Sequence, residues 1–255
     1  MTSNIAIVTG GSRGIGRATA LRLAAAGYTI VVNYAANEAA ANAVVQAVTA
    51  QGGKAVAVRA DVAKEADVLA LFAEADKLGP LKVLVNNAGV GVLKRGDLLE
   101  VTEASWDRCL AVNSKAMFFL SQAFARRLLS RRRPDGLFHS VVNVTSSNAV
   151  AVAVRRAEYC ASKAAAAMIS KALAVRLGGE NIAVYDVQPG LIATDMTAPV
   201  IEMYRRRAEE GLTLFPRVGQ PADMGAIIAA LASGRLPYTT GQAISADAGM
   251  LVPRF

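Results

Sequence analysis

Tyr159 and Lys163 stand four residues apart in Tyr159-Cys160-Ala161-Ser162-Lys163, at the start of an alanine-rich stretch. On a helix that spacing puts the phenol and the ammonium on one face, roughly 5–6 Å apart at Cβ. A cation beside a phenol favours the phenolate and lowers its pKa from about 10 toward working pH. Such a tyrosine can exchange a proton with a carbonyl or alcohol oxygen. The pair alone is unspecific, because tyrosine–lysine pairs on solvated helices are common. Ser146, thirteen residues upstream, follows the apolar run Val141–Val144, with Ser147 beside it as the less favoured alternative. That run reads as a strand, and open α/β sheets place ligands at the carboxyl ends of their strands.

A second group of residues could hold a phosphate. Thr9-Gly10-Gly11-Ser12-Arg13-Gly14-Ile15-Gly16 follows an apolar run and opens a helical pattern toward Ala26. Glycines allow a tight turn and close approach of the backbone to a pyrophosphate, and the helix N-terminus offers free N–H donors. The same residues match G-x-S-x-G, the nucleophile elbow of α/β-hydrolases. A hydrolase would need His139 as its base, since the chain has one histidine, and His139 sits at the start of a strand pattern, where a structural role is the default. About twenty residues after the loop, a site for a dinucleotide without 2′-phosphate carries an acid. Here that place reads Asn33-Tyr34, with no acid before Glu38. The missing carboxylate, together with Arg13, favours NADP(H) over NAD(H).

These groups need elements to position them. Short β-branched runs occur at Ile5–Val8, Thr29–Val32, Ala55–Val58, Leu81–Val85, Val141–Val144, Ile182–Val187 and around Ala243–Ser245, with helical periods between. Val68, Leu71, Phe72 and Ala75 follow i, i+3, i+4, i+7, for example. Continuous apolar strands alternating with amphipathic helices predict a parallel sheet covered on both faces. No linker or repeat interrupts the pattern, so a single domain over 1–255 is expected. The longest helical pattern runs from near Thr102 to about Leu129, with the stripe Trp106, Cys109, Leu110, Asn113, Met117, Leu120, Phe124 and Leu128. Asn113 occupies an apolar slot, and an unpaired buried amide costs on the order of 1–3 kcal/mol, so it must have partners. A polar site and a simple packing hydrogen bond account for it equally well.

The 255 residues are 53% apolar and 19% charged, which excludes intrinsic disorder. Two cysteines exclude a disulfide framework, and with a single histidine a zinc site lacks ligands. The longest stretch free of charged residues, 136–154, is broken by polar side chains and cannot span a bilayer. No cationic segment precedes Ile5, so a signal peptide is not expected and a cytoplasmic location is. The net charge of +8 includes two clusters, Arg126, Arg127, Arg131, Arg132 and Arg133, then Arg205, Arg206 and Arg207. Without aromatic interleaving or a nucleic-acid signature they read as solvated helix ends, with docking of an acidic partner as the alternative.

Thr9-Gly10-x-x-x-Gly14-x-Gly16, Asn86-Asn87-Ala88-Gly89, Asn113, Ser146 and Tyr159-x-x-x-Lys163 together resemble the short-chain dehydrogenase/reductase family over the whole chain. The likeness continues through Pro189-Gly190-Leu191-Ile192-Ala193-Thr194 and Tyr238-Thr239-Thr240-Gly241-Gln242. It implies a doubly wound Rossmann fold with a seven-stranded parallel sheet. It also implies hydride transfer between a nicotinamide and a carbonyl or alcohol. Tyr159 would be the proton donor, Ser146 would polarise the carbonyl, and Lys163 would hold the ribose hydroxyls and lower the Tyr159 pKa. Asn113 would anchor a water leading from Lys163 to solvent. Cofactor-binding positions implied with these are Gly10, Ser12, Arg13, Gly14, Ile15, Gly16, Asn33, Tyr34, Asp61, Val62, Asn87, Ala88, Gly89, Pro189, Gly190, Ile192 and Thr194.

Within the family, Val31-Val32-Asn33-Tyr34, Leu214–Pro221 and Thr240-Gly241-Gln242 resemble the 3-oxoacyl-(acyl-carrier-protein) reductase group, and sugar and polyol dehydrogenases share much of this pattern. An acidic acyl carrier protein is then the expected partner, and a homotetramer built on the 106–129 and 159–177 helices the expected assembly. A catalytically idle NADP-binding regulator on the same fold is the remote alternative. The chain departs from the family in two places: Tyr185-Asp186-Val187-Gln188-Pro189-Gly190 replaces the usual Asn-x-x-x-Pro-Gly, and the loop before Tyr159 is the charged Arg155-Arg156-Ala157-Glu158. Residues 190–220 would include the substrate lid.

Overall fold

Each of the seven apolar runs forms a strand in the computed structural model, which describes residues 4–131 and 138–254. In chain order these are β1 (Ile5–Val8), β2 (Thr29–Tyr34), β3 (Lys54–Arg59), β4 (Leu81–Asn86), β5 (His139–Val144), β6 (Ile182–Pro189) and β7 (Ala243–Ala246). Between them lie α1 (Gly14–Ala25), α2 (Glu38–Ala50), α3 (Glu65–Asp76), α4 (Glu103–Leu110), α5 (Ala116–Leu129), α6 (Ala157–Leu177), α7 (Ile201–Arg207) and α8 (Pro221–Ala232). The strands pair in parallel in the order β3-β2-β1-β4-β5-β6-β7, as expected for a doubly wound Rossmann sheet. The chain moves outward from β1 to β3, then returns across β1 to β4. At that reversal the connections leave on opposite faces, and a crevice opens at the carboxyl ends of β1 and β4.

Strand alternation divides the core between two faces. Ile5 and Ile7 join Phe72, Leu120, Phe124 and Leu173 in the layer under α3, α5 and α6. Ala6 and Val8 join Leu23, Val44, Tyr185 and Ile228 under α1, α2 and α8. Both faces of β1 are therefore apolar, which explains its unbroken hydrophobic run. Among the described residues no helix is long and apolar enough to cross a membrane.

The helix expected over 102–129 is present but not regular. Thr102 caps α4 by accepting from the Ser105 N–H at 3.3 Å. A π turn, Ala111–Lys115, then separates α4 from α5. One wide turn inserts an extra residue into the helical path and shifts the face that follows, a device frequent at functional sites. It is centred on Asn113. Trp106, which the stripe assigns to the core, is 40% exposed, whereas Cys109, Met117, Leu120, Phe124 and Leu128 are buried.

Beneath the crevice runs a polar chain through the sheet. Asn86 Nδ2 on β4 donates to Ser121 Oγ on α5 at 2.9 Å and to Asn143 Oδ1 on β5 at 2.8 Å. Asn143 Nδ2 donates in turn to Ser170 Oγ on α6 at 2.9 Å. All four side chains are buried. Asn86 and Asn143 are register partners, so the chain ties two strands to two helices at one level. Asn143→Ala should destabilise the fold by about 2–3 kcal/mol, because it removes two buried hydrogen bonds at once. Urea unfolding will measure this, and a loss within error of zero would show that the chain contributes nothing to stability.

Candidate active site

The crevice is a cleft of about 1230 Å³ that extends from the glycine loop and the end of β2 to Tyr159 and α7. Gly10 and Gly14 adopt φ of +59° and +51°, which lets the loop turn tightly into α1. A methyl group at Gly16 would lie 2.3 Å from the Gly10 carbonyl oxygen, so only glycine fits there. Thr9 and Asn87 stitch this loop to β4. Thr9 Oγ1 accepts from the Asn87 and Ala88 N–H groups, both at 3.0 Å, and Asn87 Nδ2 donates to the Thr9 and Gly10 carbonyls at 2.9 and 3.1 Å. Ser12, Arg13, Gly14 and Ile15 then face the cleft at the N-terminus of α1, an arrangement suited to an anion.

At the other wall α6 brings Tyr159 and Lys163 to the end of β5. Lys163 Nζ is buried and donates to the Val144 carbonyl at 3.0 Å. It lies 5.8 Å from the centre of the Tyr159 ring, and Arg156 Cζ lies 5.3 Å from the same centre. Burial lowers the Lys163 pKa to about 8, opposed by the charges of Asp186 and Cys109. The expectation of a lowered phenol pKa is not met by the chain's own groups. Burial raises Tyr159, while hydrogen bonding with Ser146 and the Arg156 cation pull it partly back. Ser146 is the serine beside the phenol. Its Oγ also accepts from the Asn148 N–H at 3.1 Å.

Asn113 has the partners its burial requires. Its Oδ1 accepts from the Val90 N–H at 2.8 Å, and its Nδ2 donates to the Val90 carbonyl at 3.0 Å and to Ser162 Oγ at 2.9 Å. Gly89 separates it from Lys163: a methyl group there would lie 3.2 Å from Asn113 Oδ1 and 3.6 Å from Lys163 Nζ. The π turn thus carries a polar side chain from an apolar stripe to the edge of the site.

The remaining expected positions, Tyr34, Asp61, Val62, Ala88, Gly89, Pro189, Gly190, Ile192 and Thr194, all border the cleft. Asp61 Oδ1 caps its own turn through the Ala63 N–H at 3.1 Å. Arg13 pairs with Asp195 at 3.3 Å, both being exposed. Asn33 borders the cleft, yet its amide is committed inward. Nδ2 donates to the Ala60 carbonyl at 2.9 Å and the Val58 carbonyl at 3.4 Å, and Oδ1 accepts from the Gly10 N–H at 3.3 Å. The exposed side chains at that end are those of Ala35, Ala36 and Asn37.

The arginine clusters are largely paired nearby. Arg127 and Arg131 reach Asp76 at 3.3 and 3.0 Å, and Arg127 also stacks on Phe72. Arg205 pairs with Glu202 and Arg206 with Glu210, while Arg207 faces the cleft. Arg132 and Arg133 lie outside the described residues.

A family model described as short chain dehydrogenase matches residues 4–205. The chain belongs to this family. It is 37% identical to a 3-oxoacyl-[acyl-carrier-protein] reductase of Synechocystis sp., over 99% of this chain and 98% of that one. A crystal structure of a Brucella melitensis 3-oxoacyl-[acyl-carrier protein] reductase in complex with NAD is 36% identical, covers both chains completely and superposes with a TM-score of 0.93. The landomycin C-6 ketoreductase with bound NADP and rabelomycin is 35% identical over 99% of this chain and 98% of that one, with a TM-score of 0.84. The protein is therefore an oxidoreductase acting on carbonyl or alcohol groups with a nicotinamide cofactor. Its residues fit such a cofactor, since the glycine loop offers N–H donors without side chains and the cleft continues from there to Lys163.

The segment that departs from Asn-x-x-x-Pro-Gly carries a buried network whose place behind the site its spacing does not give. Asp186 is buried on β6 and accepts from Thr145 Oγ1 and, at 2.8 Å, from Gln188 Nε2. Burial raises its pKa, while Thr145, Gln188 and Lys163 hold it down. Thr145 immediately precedes Ser146, so the carboxylate lies behind both the serine and the lysine. A polar residue on a strand otherwise read as apolar is the sequence signal. The Lys163 ammonium should lose its proton as the pH rises through about 8. Asp186 stabilises the charged form, so Asp186→Asn should move that titration to lower pH. Following the Lys163 ¹³Cε resonance checks the sign; an unmoved or raised titration would remove Asp186 from the lysine's electrostatic environment.

Proposed function

We propose that the chain is an NADP(H)-dependent ketoreductase of the 3-oxoacyl type, with Tyr159 as the proton donor. The observation that carries this reading is the convergence of Ser146, Tyr159 and Lys163 at the end of β5, within the cleft that begins at the glycine loop. A bound nicotinamide supplies the hydride that the carbonyl carbon accepts. The chain's residues do the rest. Ser146 donates a hydrogen bond to the carbonyl oxygen, and Tyr159 gives that oxygen its proton as the C=O π bond becomes a C–O–H group. The raised phenol pKa suits this direction, because the donor must enter the reaction protonated. Lys163, fixed to the Val144 carbonyl, holds the ribose hydroxyls and stabilises the phenolate left behind. Asn113 supports proton return from solvent toward Lys163.

Preference for NADP(H) rests on the absence of an acid at the end of β2 and on Arg13 in the loop. The 3-oxoacyl reading, and with it an acyl-carrier-bound substrate, rests on the names of the relatives and on the motif likeness. A sugar or polyol dehydrogenase remains the second reading, favoured by the departures around Asp186 and Arg155. Self-association as a tetramer belongs to the proposal as well, supported by Phe118, Phe119, Met168 and Val175 exposed on α5 and α6. So does a cytoplasmic location.

Tyr159→Phe should lower kcat for NADPH-dependent ketone reduction by about 10²–10⁴-fold while NADPH still binds. Unchanged turnover would overturn the proton donor; NADPH oxidation with acetoacetyl thioesters and simple diketones measures it. For the cofactor, Asn33→Asp would disrupt the buried amide bonds, so Ala35→Asp is the cleaner probe. A carboxylate there should repel a 2′-phosphate and lower the NADPH/NADH ratio of kcat/KM by about tenfold or more. An unchanged ratio would place the 2′-phosphate elsewhere.

A further inference from the structure

The end of the cleft beyond Tyr159 holds a charge arrangement that proton transfer does not require. Arg95, Arg155 and Arg156 all line it. Their two loops are joined, since the Gly96 N–H donates to the Arg155 carbonyl at 3.3 Å. Arg95 and Arg156 are half-buried. The ion pairs among the described residues take Arg13, Arg127, Arg131, Arg176, Arg205, Arg206 and Arg217, and leave these three without a carboxylate within 4.0 Å.

Glu100 Oε2 stands 3.8 Å from where a methyl group at Gly96 would lie, yet it pairs with none of the three arginines, and two other nearby acids are committed elsewhere. Glu158 is buried and accepts from Ser105 Oγ at 2.7 Å, and Asp97 accepts from the Leu99 N–H at 2.9 Å. Of the carboxylates bordering the cleft, Asp195 is paired with Arg13 and Asp61 belongs to the opposite end. Arg155 is exposed at the mouth, so the cost of a guanidinium leaving water without a counterion falls on the half-buried Arg95 and Arg156, and the forked donor geometry of arginine matches a carboxylate. Arg156 alone could be explained by its stacking on the Tyr159 ring. Arg95 and Arg155 have no such partner.

We infer that the substrate is an oxo acid whose free carboxylate is held by Arg95, Arg155 and Arg156 while its carbonyl lies between Ser146 and Tyr159. The inference rests on the ketoreductase reading and puts a free oxo acid in place of the carrier-bound substrate. A thioester carboxyl carbon carries no charge, so a simple carrier-bound 3-oxoacyl group brings no anion to this depth. A substrate with a free carboxylate does.

The test uses the full chain saturated with NADP⁺, in which a ketone binds without being reduced. Calorimetry compares acetoacetate, 4-oxopentanoate and 6-oxoheptanoate, each with its methyl ester. At least one acid should bind about tenfold or more tightly than its ester, the scale of a charge-assisted hydrogen-bond pair. In Arg95→Gln/Arg155→Gln, or in Arg155→Gln alone where the double variant does not fold, that preference should fall severalfold. Equal binding of every acid and ester would overturn the inference, as would a preference that survives the substitutions. If instead the variants raise only the KM for an acetoacetyl carrier protein, the arginines meet the carrier and the inference fails. The two readings fail separately. Acid preference without reduction of any carbonyl would keep the anion site and sink the ketoreductase, whereas equally efficient reduction of acid and ester would do the reverse.

Discussion

A lysine ammonium sealed under a tyrosine is the constraint around which this half of the molecule is organised. Lys163 is 5% exposed, and an ammonium withdrawn from water must find acceptors or lose its proton. It finds the Val144 carbonyl, available because β5 ends there and the chain turns away through Thr145 and Ser146. That one hydrogen bond fixes the start of α6 against the carboxyl end of β5. Tyr159, one turn earlier on α6, is thereby set beside Ser146. The three side chains come from two elements, and the lysine ties those elements together at the level where chemistry can occur.

Holding that lysine has required a polar interior. Asp186, Thr145 and Gln188 sit behind it, and the Asn86–Asn143 pair with Ser121 and Ser170 lies a little further down the strands. Apolar residues of similar volume could fill those positions without any requirement for partners. What the polar groups provide is directionality, because a satisfied amide tolerates few orientations while a leucine tolerates several. The register of β4 against β5 is thus locked where the catalytic strand ends, and the positions of Ser146 and Lys163 inherit that rigidity. Asn143 uses both amide atoms, whereas the buried Oδ1 of Asn86 has no partner among the described residues, so the directionality rests chiefly on Asn143.

How much of this can be read from the chain depends on periodicity. Every strand is visible as a β-branched run, and the switch point follows from parallel topology once the strands are placed. Asn113 is visible because a polar residue in a helical stripe breaks a period. The π turn that presents it is not visible, since an inserted residue looks like a continuing helix until the face shifts. Asn33 reads as a position beside the cofactor because of its distance from the glycine loop, yet spacing along a strand does not say where an amide points. Its side chain turns to the Val58 and Ala60 carbonyls at the end of the β2–β3 pairing. Asp186 is hidden for a related reason: a carboxylate in a buried strand has no sequence signature apart from its polarity, and its partners are strands away.

Charge is distributed unevenly along the cleft, and the asymmetry follows from the order of the strands. Asp61 borders the end near β3, while Arg95, Arg155 and Arg156 border the end near β5 and α6, on opposite sides of the switch point. A ligand that runs the length of the cleft therefore passes Asp61 and the Arg13–Asp195 pair before it reaches these three arginines. Electrostatic fields are strongest inside concave, water-poor surfaces, so the basic end acts on whatever lies beyond the reacting carbon rather than on the dinucleotide's adenine half. One of these cations, Arg156, sits over the Tyr159 ring and favours its phenolate form. An anionic substrate group held by Arg156 would cancel part of that pull as it binds and so reinforce the protonated phenol that burial already favours. Substrate recognition and readiness of the donor would then be coupled through Arg156, with no moving part.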